Sequence, residues 1–303
     1  KCGLAEDMLD SMGQLFGPLP GGLGYSVIVV GFILGAITGT VAGQVVAMAM
    51  IALPVMVRYG YDMRYATGVL AASGTITQLV PPSLILVVLA DQLGRSVGDM
   101  YKGAWGPSIL QALIFLAYTF ALSRLRPAHV PGVPKEARTL QGWALWRKCL
   151  RGIIPAALLI FAVLGIMGGL PGIDHAIATP TEAGAMGAVG AIALAALHRR
   201  LHWKMLNEAM EGTMRITAMV VFILIGSRIF SLVFQGVDGG LWIEHMLAAL
   251  PGGQTGFLIA VNVFVFFLAF FLDFFEIAFI ILPLLAPVAD KLGIDLVWFG
   301  VLL

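Results

Sequence analysis

The sequence predicts an all-α integral membrane protein organised as an inverted-repeat secondary transporter, with two re-entrant helical hairpins and broken helices. Three observations lead there. Of the 303 residues, 59% are hydrophobic and only 12% charged, with a mean hydropathy of +0.95, whereas soluble domains carry about 25% charged residues. Charge-poor runs recur along the whole chain. Two of these runs are oversized and share an ordered set of motifs.

In chain order the runs are Gly24–Val57, Ala66–Ala90, Gly103–Ser123, Ile153–Ile173, Ala176–Leu197, Ile216–Val237, Gly256–Ala289 and the start of another at Leu296. A helical span needs about 20 apolar residues, and most runs fit one. Gly24–Val57 and Gly256–Ala289 are too long for one span and too short for two. Each therefore reads as a hairpin that enters and leaves on one side. The connections 124–148 and 198–215 are rich in Arg and Lys, while "DQLGRSVGD" and "GVDGGLWIEH" are not. The positive-inside rule places the two basic loops in the cytoplasm, which makes Ile153–Ile173 and Ala176–Leu197 an out-and-back pair. Trp143 and Trp146, just before that pair, read as a membrane-surface linker.

The two oversized runs and their flanks carry the same anchors. Leu19-Pro20-Gly21-Gly22 matches Leu250-Pro251-Gly252-Gly253, Leu53-Pro54 matches Leu282-Pro283, and Gly60-Tyr61-Asp62 matches Gly293-Ile294-Asp295, all at an offset of about 230 residues. With hairpins at both positions, an odd number of spans separates the repeats, so they are inverted. That is the architecture of secondary transporters, whose sites lie near the midplane between repeats. The expected division is a first repeat over 1–123 with hairpin 24–57 and broken helix 66–90. A basic cytoplasmic connection over 124–152 follows, then a second repeat over 153–303 with hairpin 256–289. The chain starts without Met and stops in an apolar run, so further segments are expected at both ends.

Four stretches carry candidate chemistry. At the first hairpin tip, "GAITGTVAGQ" offers Gly39 for the turn and Thr38, Thr40 and Gln44 as neutral oxygens. Gly31, Gly35, Gly39 and Gly43 also stand at helix-packing spacing, and both readings stay open. In "ASGTITQLVPPSLILVV" the paired Pro81 and Pro82 free the carbonyls around Thr77–Val80, while Ser73, Thr75, Thr77 and Ser83 add hydroxyls. Such an unwound segment can coordinate a cation; a simple proline kink is the other reading. "ATPTEAG" sets Thr179, Pro180, Thr181 and Glu182 at a helix start, read first as a cap and second as an end facing an anion. Asp273 and Glu276 lie mid-run in the greasiest segment, where each charge costs at least a few kcal/mol in lipid. A hairpin tip would keep them out of lipid. Arg228, the one basic residue deep in a span, is expected to snorkel, to pair with a carboxylate or to meet a substrate carboxylate, with pairing favoured.

Enzyme constellations are missing from the sequence: there is no GxSxG, no HExxH, no P-loop lysine and no His pair at ligand spacing. The net charge of +1 and the lack of a clustered basic and aromatic surface give no sign of nucleic acid, and Cys2 and Cys149 have no metal or redox spacing.

The stretches "KCGLAEDML", "LPGG", "GYDMRYATGVLAASGTITQLVPPS", "ATPTEAGAMGAVGA" and "FLDFFEIAFIILPLLAPVADKLGIDLVWFGVLL" together resemble the large membrane subunit of TRAP (tripartite ATP-independent periplasmic) transporters, DctM-like, along essentially the whole chain. The FLDFFEIAF variant is similar to the mannitol/chloroaromatic-type subgroup. The resemblance implies an elevator-type, sodium-driven importer of a small organic acid in the bacterial inner membrane. It also implies a periplasmic substrate-binding protein and a small TRAP membrane subunit as partners, with sodium as the coupling ion. One sodium site would fall on Thr40, Thr77, Val80 and Pro82, and a second near Asp273, its Pro-Pro half expected beyond Leu303. Two departures touch the first site: Gly39-Thr40-Val41 stands where the family commonly has Gly-Ser-Ser, and Thr77 where it commonly has Gly. A proton-coupled carrier using Asp273 or Glu276, an ion channel and an assembly subunit remain as rival readings.

Overall fold

The computed structural model describes residues 4–38, 41–134, 143–168, 170, 176–248 and 251–303. Every regular element among them is helical. In chain order these are α1 (Leu4–Phe16), α2 (Gly22–Thr38), α3 (Val41–Arg58), α4 (Met63–Thr75), α5 (Leu84–Leu93), α6 (Val97–Leu125), α7 (Trp143–Ile166) and α8 (Pro180–Leu197). They continue with α9 (Trp203–Gly236), α10 (Gly239–Ala248), α11 (Gly253–Leu268), α12 (Phe274–Glu276), α13 (Leu282–Lys291) and α14 (Leu296–Leu302). The chain forms two compact units, one of Lys1–Leu84 with Ala104–Leu201 and one of Ile85–Gly103 with His202–Leu303. Among the described residues four helices, Val97–Leu125, Leu145–Ile166, Pro180–Leu197 and Trp203–Gly236, are long and apolar enough to cross a membrane.

Each oversized run is a pair of shorter helices. In the first unit, α2 and α3 have 17 and 18 residues, about 25 Å each at 1.5 Å per residue, short of the ~30 Å hydrocarbon thickness. They pack side by side and onto α4. In lipid, contact between apolar helices gains little from the hydrophobic effect, so close approach through small residues has to supply it. The structure uses that device. A Cβ on Gly31 would lie 2.9 Å from Ser73 Cβ, one on Gly35 3.0 Å from Thr77 Cα, and one on Gly74 2.1 Å from Val45 Cγ2. Gly31 and Gly35, of the glycine spacing noted in the sequence, therefore stand on a packing face, while Gly39 lies outside the described residues.

The repeated motifs adopt the same local geometry in both units. Gly21 (φ +82°) and Gly252 (φ +97°) take left-handed turns just before α2 and α11. Gly60 (φ +77°) and Gly293 (φ +73°) end α3 and α13. There Tyr61 N–H donates to Met56 O at 3.0 Å and Ile294 N–H to Ala289 O at 2.9 Å, the same helix-ending bond. Asp62 and Asp295 then cap the next helix, accepting from Tyr65 N–H at 3.2 Å and Trp298 N–H at 2.8 Å. This register pairs Pro54 with Pro287, which stands the same distance before its glycine, rather than with Pro283. The extra proline, Pro283, stands at the start of α13, just after a wider π-type turn over Ile277–Ile281.

Several boundaries differ from the sequence expectation: the span expected from Ile216 is α9, which already begins at Trp203 inside the connection expected over 198–215, and the span expected from Gly103 is α6, which begins at Val97. The span expected at Ile153–Ile173 is a helix from Trp143 to Ile166, ended by Gly168 at φ +67°. Trp143 and Trp146 accordingly stand on the first turns of α7, not on a linker. Helices α7 and α8 run antiparallel: a Cβ on Gly187 would meet Val163 at 3.3 Å and one on Gly190 would meet Leu159 at 2.4 Å.

Candidate functional site

The polar centre of the first unit lies where α2, the start of α3 and the end of α4 meet. Gln44, Ser73 and Thr77 are buried there, each 1% exposed or less. Gln44 Nε2 donates to Gly31 O at 2.7 Å. The Thr77 hydroxyl lies 2.7 Å from Gln44 Oε1 and 2.6 Å from Gly74 O. A hydroxyl has one proton, so one of these two short O···O contacts lacks one. Four neutral oxygens, from Gln44, Thr77, Gly31 and Gly74, are thus gathered in a packed interior without a carboxylate. Neutral carbonyl and hydroxyl oxygens of this kind suit a hard cation, and the crowding at Thr77 is the kind a cation relieves.

Local sequence explains the gathering. Helix α4 tightens into a 3₁₀ turn at Ile76–Gln78 and stops, and the chain resumes as α5 only at Leu84. Pro81 and Pro82, joined by a cis peptide bond, lack the N–H groups a continuing helix would offer to the carbonyls of Thr77 and Gln78. Val80 is buried at 1% exposure and Pro82 half-buried. Ser73 Oγ bonds back to Leu70 O at 2.9 Å within its own helix. Thr75 is exposed and bonds to Ala72 O at 2.8 Å, so it stands apart from the oxygen cluster. Gly39 and Thr40, expected at the tip, lie outside the described residues, as does the side chain of Thr38.

In the second unit the corresponding connection, Ala269–Leu272, leads into α12 with Asp273 just before it. Asp273 is exposed, and its backbone N–H is accepted by Glu276 Oε2 at 3.1 Å. The two carboxylates thus stand at a helix start, where negative charge is stabilised. Beyond them Pro283 has no N–H to give to Phe279 O. The Ser227 hydroxyl, on the one buried residue of α9, donates to that carbonyl instead. Ser227 was not singled out in the sequence; a small polar residue inside the apolar run beside Arg228 was the available signal.

The remaining candidates take ordinary positions. Thr179 caps α8, donating its backbone N–H to Glu182 Oε2 at 2.8 Å and accepting from Glu182 N–H at 3.4 Å, and Thr181 is exposed on the first turn. Arg228 is exposed on α9 and has no carboxylate partner among the described residues, contrary to the pairing expected. An unpaired guanidinium on an apolar helix can snorkel toward the interface. No group of three metal-ligating His, Cys, Asp or Glu side chains occurs among the described residues.

Among the described residues, four helices long and apolar enough to cross a membrane, paired short helices and an oxygen-lined helix break define a polytopic membrane protein by class. The chain matches the family described as tripartite ATP-independent periplasmic transporter, DctM component, over residues 1–303, and it belongs to that family. It is 29% identical to the uncharacterized protein YgiK of Salmonella typhimurium, covering 99% of this chain and 66% of that protein. It is 28% identical to the C4-dicarboxylate TRAP transporter large permease protein DctM of Pseudomonas aeruginosa, covering 99% and 68%. It is also 27% identical to the isethionate TRAP transporter permease protein DctMQ of Oleidesulfovibrio alaskensis, covering 99% and 46%. The chain therefore spans about two thirds of the first two relatives and under half of the third. The characterised relatives are named as transport permeases, not as enzymes.

Proposed function

We propose that this chain is the large transmembrane subunit of a sodium-coupled TRAP transporter that imports a small organic acid across the bacterial inner membrane. A periplasmic binding protein delivers the acid, and a small membrane subunit completes the scaffold. The relatives named for C4-dicarboxylates and isethionate support an organic anion as cargo. The observation that carries sodium coupling is the buried cluster of Gln44, Thr77 and the carbonyls of Gly31 and Gly74. Thr40, Val80 and Pro82 complete this first site, and a second lies near Asp273. Sodium held between hairpin and helix break orders the surrounding backbone, so the acid meets a site already organised. Binding of the two is thereby coupled.

In this reading residues 1–123 and 153–303 are inverted repeats. Their hairpins, 24–57 and 256–289, are re-entrant and move together with cargo in an elevator cycle. The matched helix-ending glycines and capping aspartates support the duplication. The test is uptake of labelled organic acids into proteoliposomes holding the full-length protein, the small subunit and the binding protein, under inward sodium or proton gradients. Uptake should follow sodium, require the binding protein and saturate. Uptake that follows protons alone would move coupling to Asp273 or Glu276.

A further inference from the structure

We infer that the start of α7 and the end of α8 form a binding site for the headgroup of an anionic phospholipid. The two helix ends enclose a groove of ≈ 680 Å³ whose lining includes Trp143, Arg147, Lys148, Arg151, Pro155 and His198. Arg147 and Arg151 are one helical turn apart and exposed, and neither pairs with a carboxylate among the described residues. Lys148 is already engaged, its Nζ 2.6 Å from Asp10 Oδ2. His198 directs Nδ1 to Leu194 O at 2.8 Å, so its other ring nitrogen is the one left for a ligand. Arg199 and Arg200 follow directly.

Position identifies the occupant. The groove sits where two membrane-length helices begin and end, with Trp143 76% and Trp146 50% exposed beside it. Exposed indoles at a span end mark the headgroup level of a bilayer. Two unpaired guanidiniums there match a phosphate, which arginine binds through paired N–H donors. Below the arginines the groove wall turns apolar at Leu150, Ile154 and Pro155, which suits an acyl chain and not a soluble anion. Basic pockets between membrane helices recognise anionic lipid in this manner.

The test is native mass spectrometry of the full-length protein titrated with phosphatidylglycerol or with phosphatidylcholine of the same acyl chains. The unaltered protein should retain phosphatidylglycerol preferentially. Arg147→Ala with Arg151→Ala should weaken that retention about 30-fold, roughly fivefold per arginine, and leave phosphatidylcholine unchanged. Lysine at both positions should restore most of it, and inorganic phosphate should not displace the lipid. Equal retention of both lipids, undiminished retention in the alanine pair, or displacement by inorganic phosphate would each overturn the site. Should the alanine pair fail to fold, photoreactive phosphatidylglycerol added to the unaltered protein must label the peptide spanning 143–155; labelling confined elsewhere contradicts the proposal.

Discussion

The regions around α2–α3 and α11–α13 share a frame and differ in what they place inside it. Around α2 and α3 the left-handed glycine, the helix-ending glycine and the capping aspartate enclose a buried network of neutral oxygens. Around α11 and α13 the same three devices recur, but the connection leads into exposed Asp273 and half-buried Glu276. Exposed aromatics flank it, Phe270 at 70% and Phe271 at 86%. Backbone devices persist because only glycine accepts those φ values cheaply and only a short acceptor caps a helix start. Tip chemistry varies because many side chains fit a turn. What the pair teaches is that the shared frame is scaffold and the unshared polar groups are the candidates for function.

The largest expected difference lies in the matched turns. At Gly22 a Cβ would sit 2.1 Å from Phe16 O, whereas at Gly253 nothing lies within 4 Å and only the φ of +55° resists. Gly22→Ala should therefore abolish accumulation of folded protein. Gly253→Ala should cost roughly 1–2 kcal/mol, read as a modest drop in melting temperature in detergent. Equal effects would mean the two turns are packed alike.

Next come the polar contacts each region does not share. Thr77→Val removes the hydroxyl from the buried contacts with Gln44 Oε1 and Gly74 O and should cost about 1 kcal/mol, the net worth of an interior hydrogen bond. Ser227→Ala strips the donor from Phe279 O in the other unit and should cost about 1–2 kcal/mol. Only the first substitution should also alter the dependence of uptake on sodium. A sodium effect from Ser227→Ala would blur the distinction between site and support.

The smallest effect concerns the caps. The backbone bond from Tyr65 holds the Asp62 carboxyl below the usual carboxylate range, against desolvation and with Arg64 N–H and the nearby His129 adding to it. A depressed carboxyl stabilises the fold above its unfolded-state value and loses that contribution as pH falls through the folded one. The melting-temperature gap between the unaltered protein and Asp62→Ala should accordingly be constant near neutrality and close on acidification. Asp295→Ala, at the matched position, should cost about 1 kcal/mol.

Much of this frame was legible in the sequence, for physical reasons. Apolar runs of a given length, Pro81-Pro82 and the recurring LPGG and Gly-x-Asp motifs act through local backbone rules, so they can be read without neighbours. Three things could not. Gln44 stood out as one polar residue among several, but its contact with Thr77 joins residues far apart in the chain and depends on how α3 meets α4. Ser227 acts on a carbonyl freed by Pro283, a relation that exists only once α9 is packed against that turn. The start of α7 was hidden because its first turns are basic and amphipathic, so hydropathy placed the span too late. Arg228 went the other way: a lone charge in an apolar run suggested a partner, and the described structure supplies none.

The most direct measurement is the melting temperature of the full-length protein as sodium replaces potassium at constant ionic strength, compared with Thr77→Val. A ligand that binds only the folded state stabilises it by RT ln(1 + [L]/Kd). If the Gln44–Thr77 cluster is a sodium site, the unaltered protein should stabilise progressively with sodium and Thr77→Val should lose most of that gain. A sodium response of the same size in both proteins would contradict the assignment and leave the cluster a packing element.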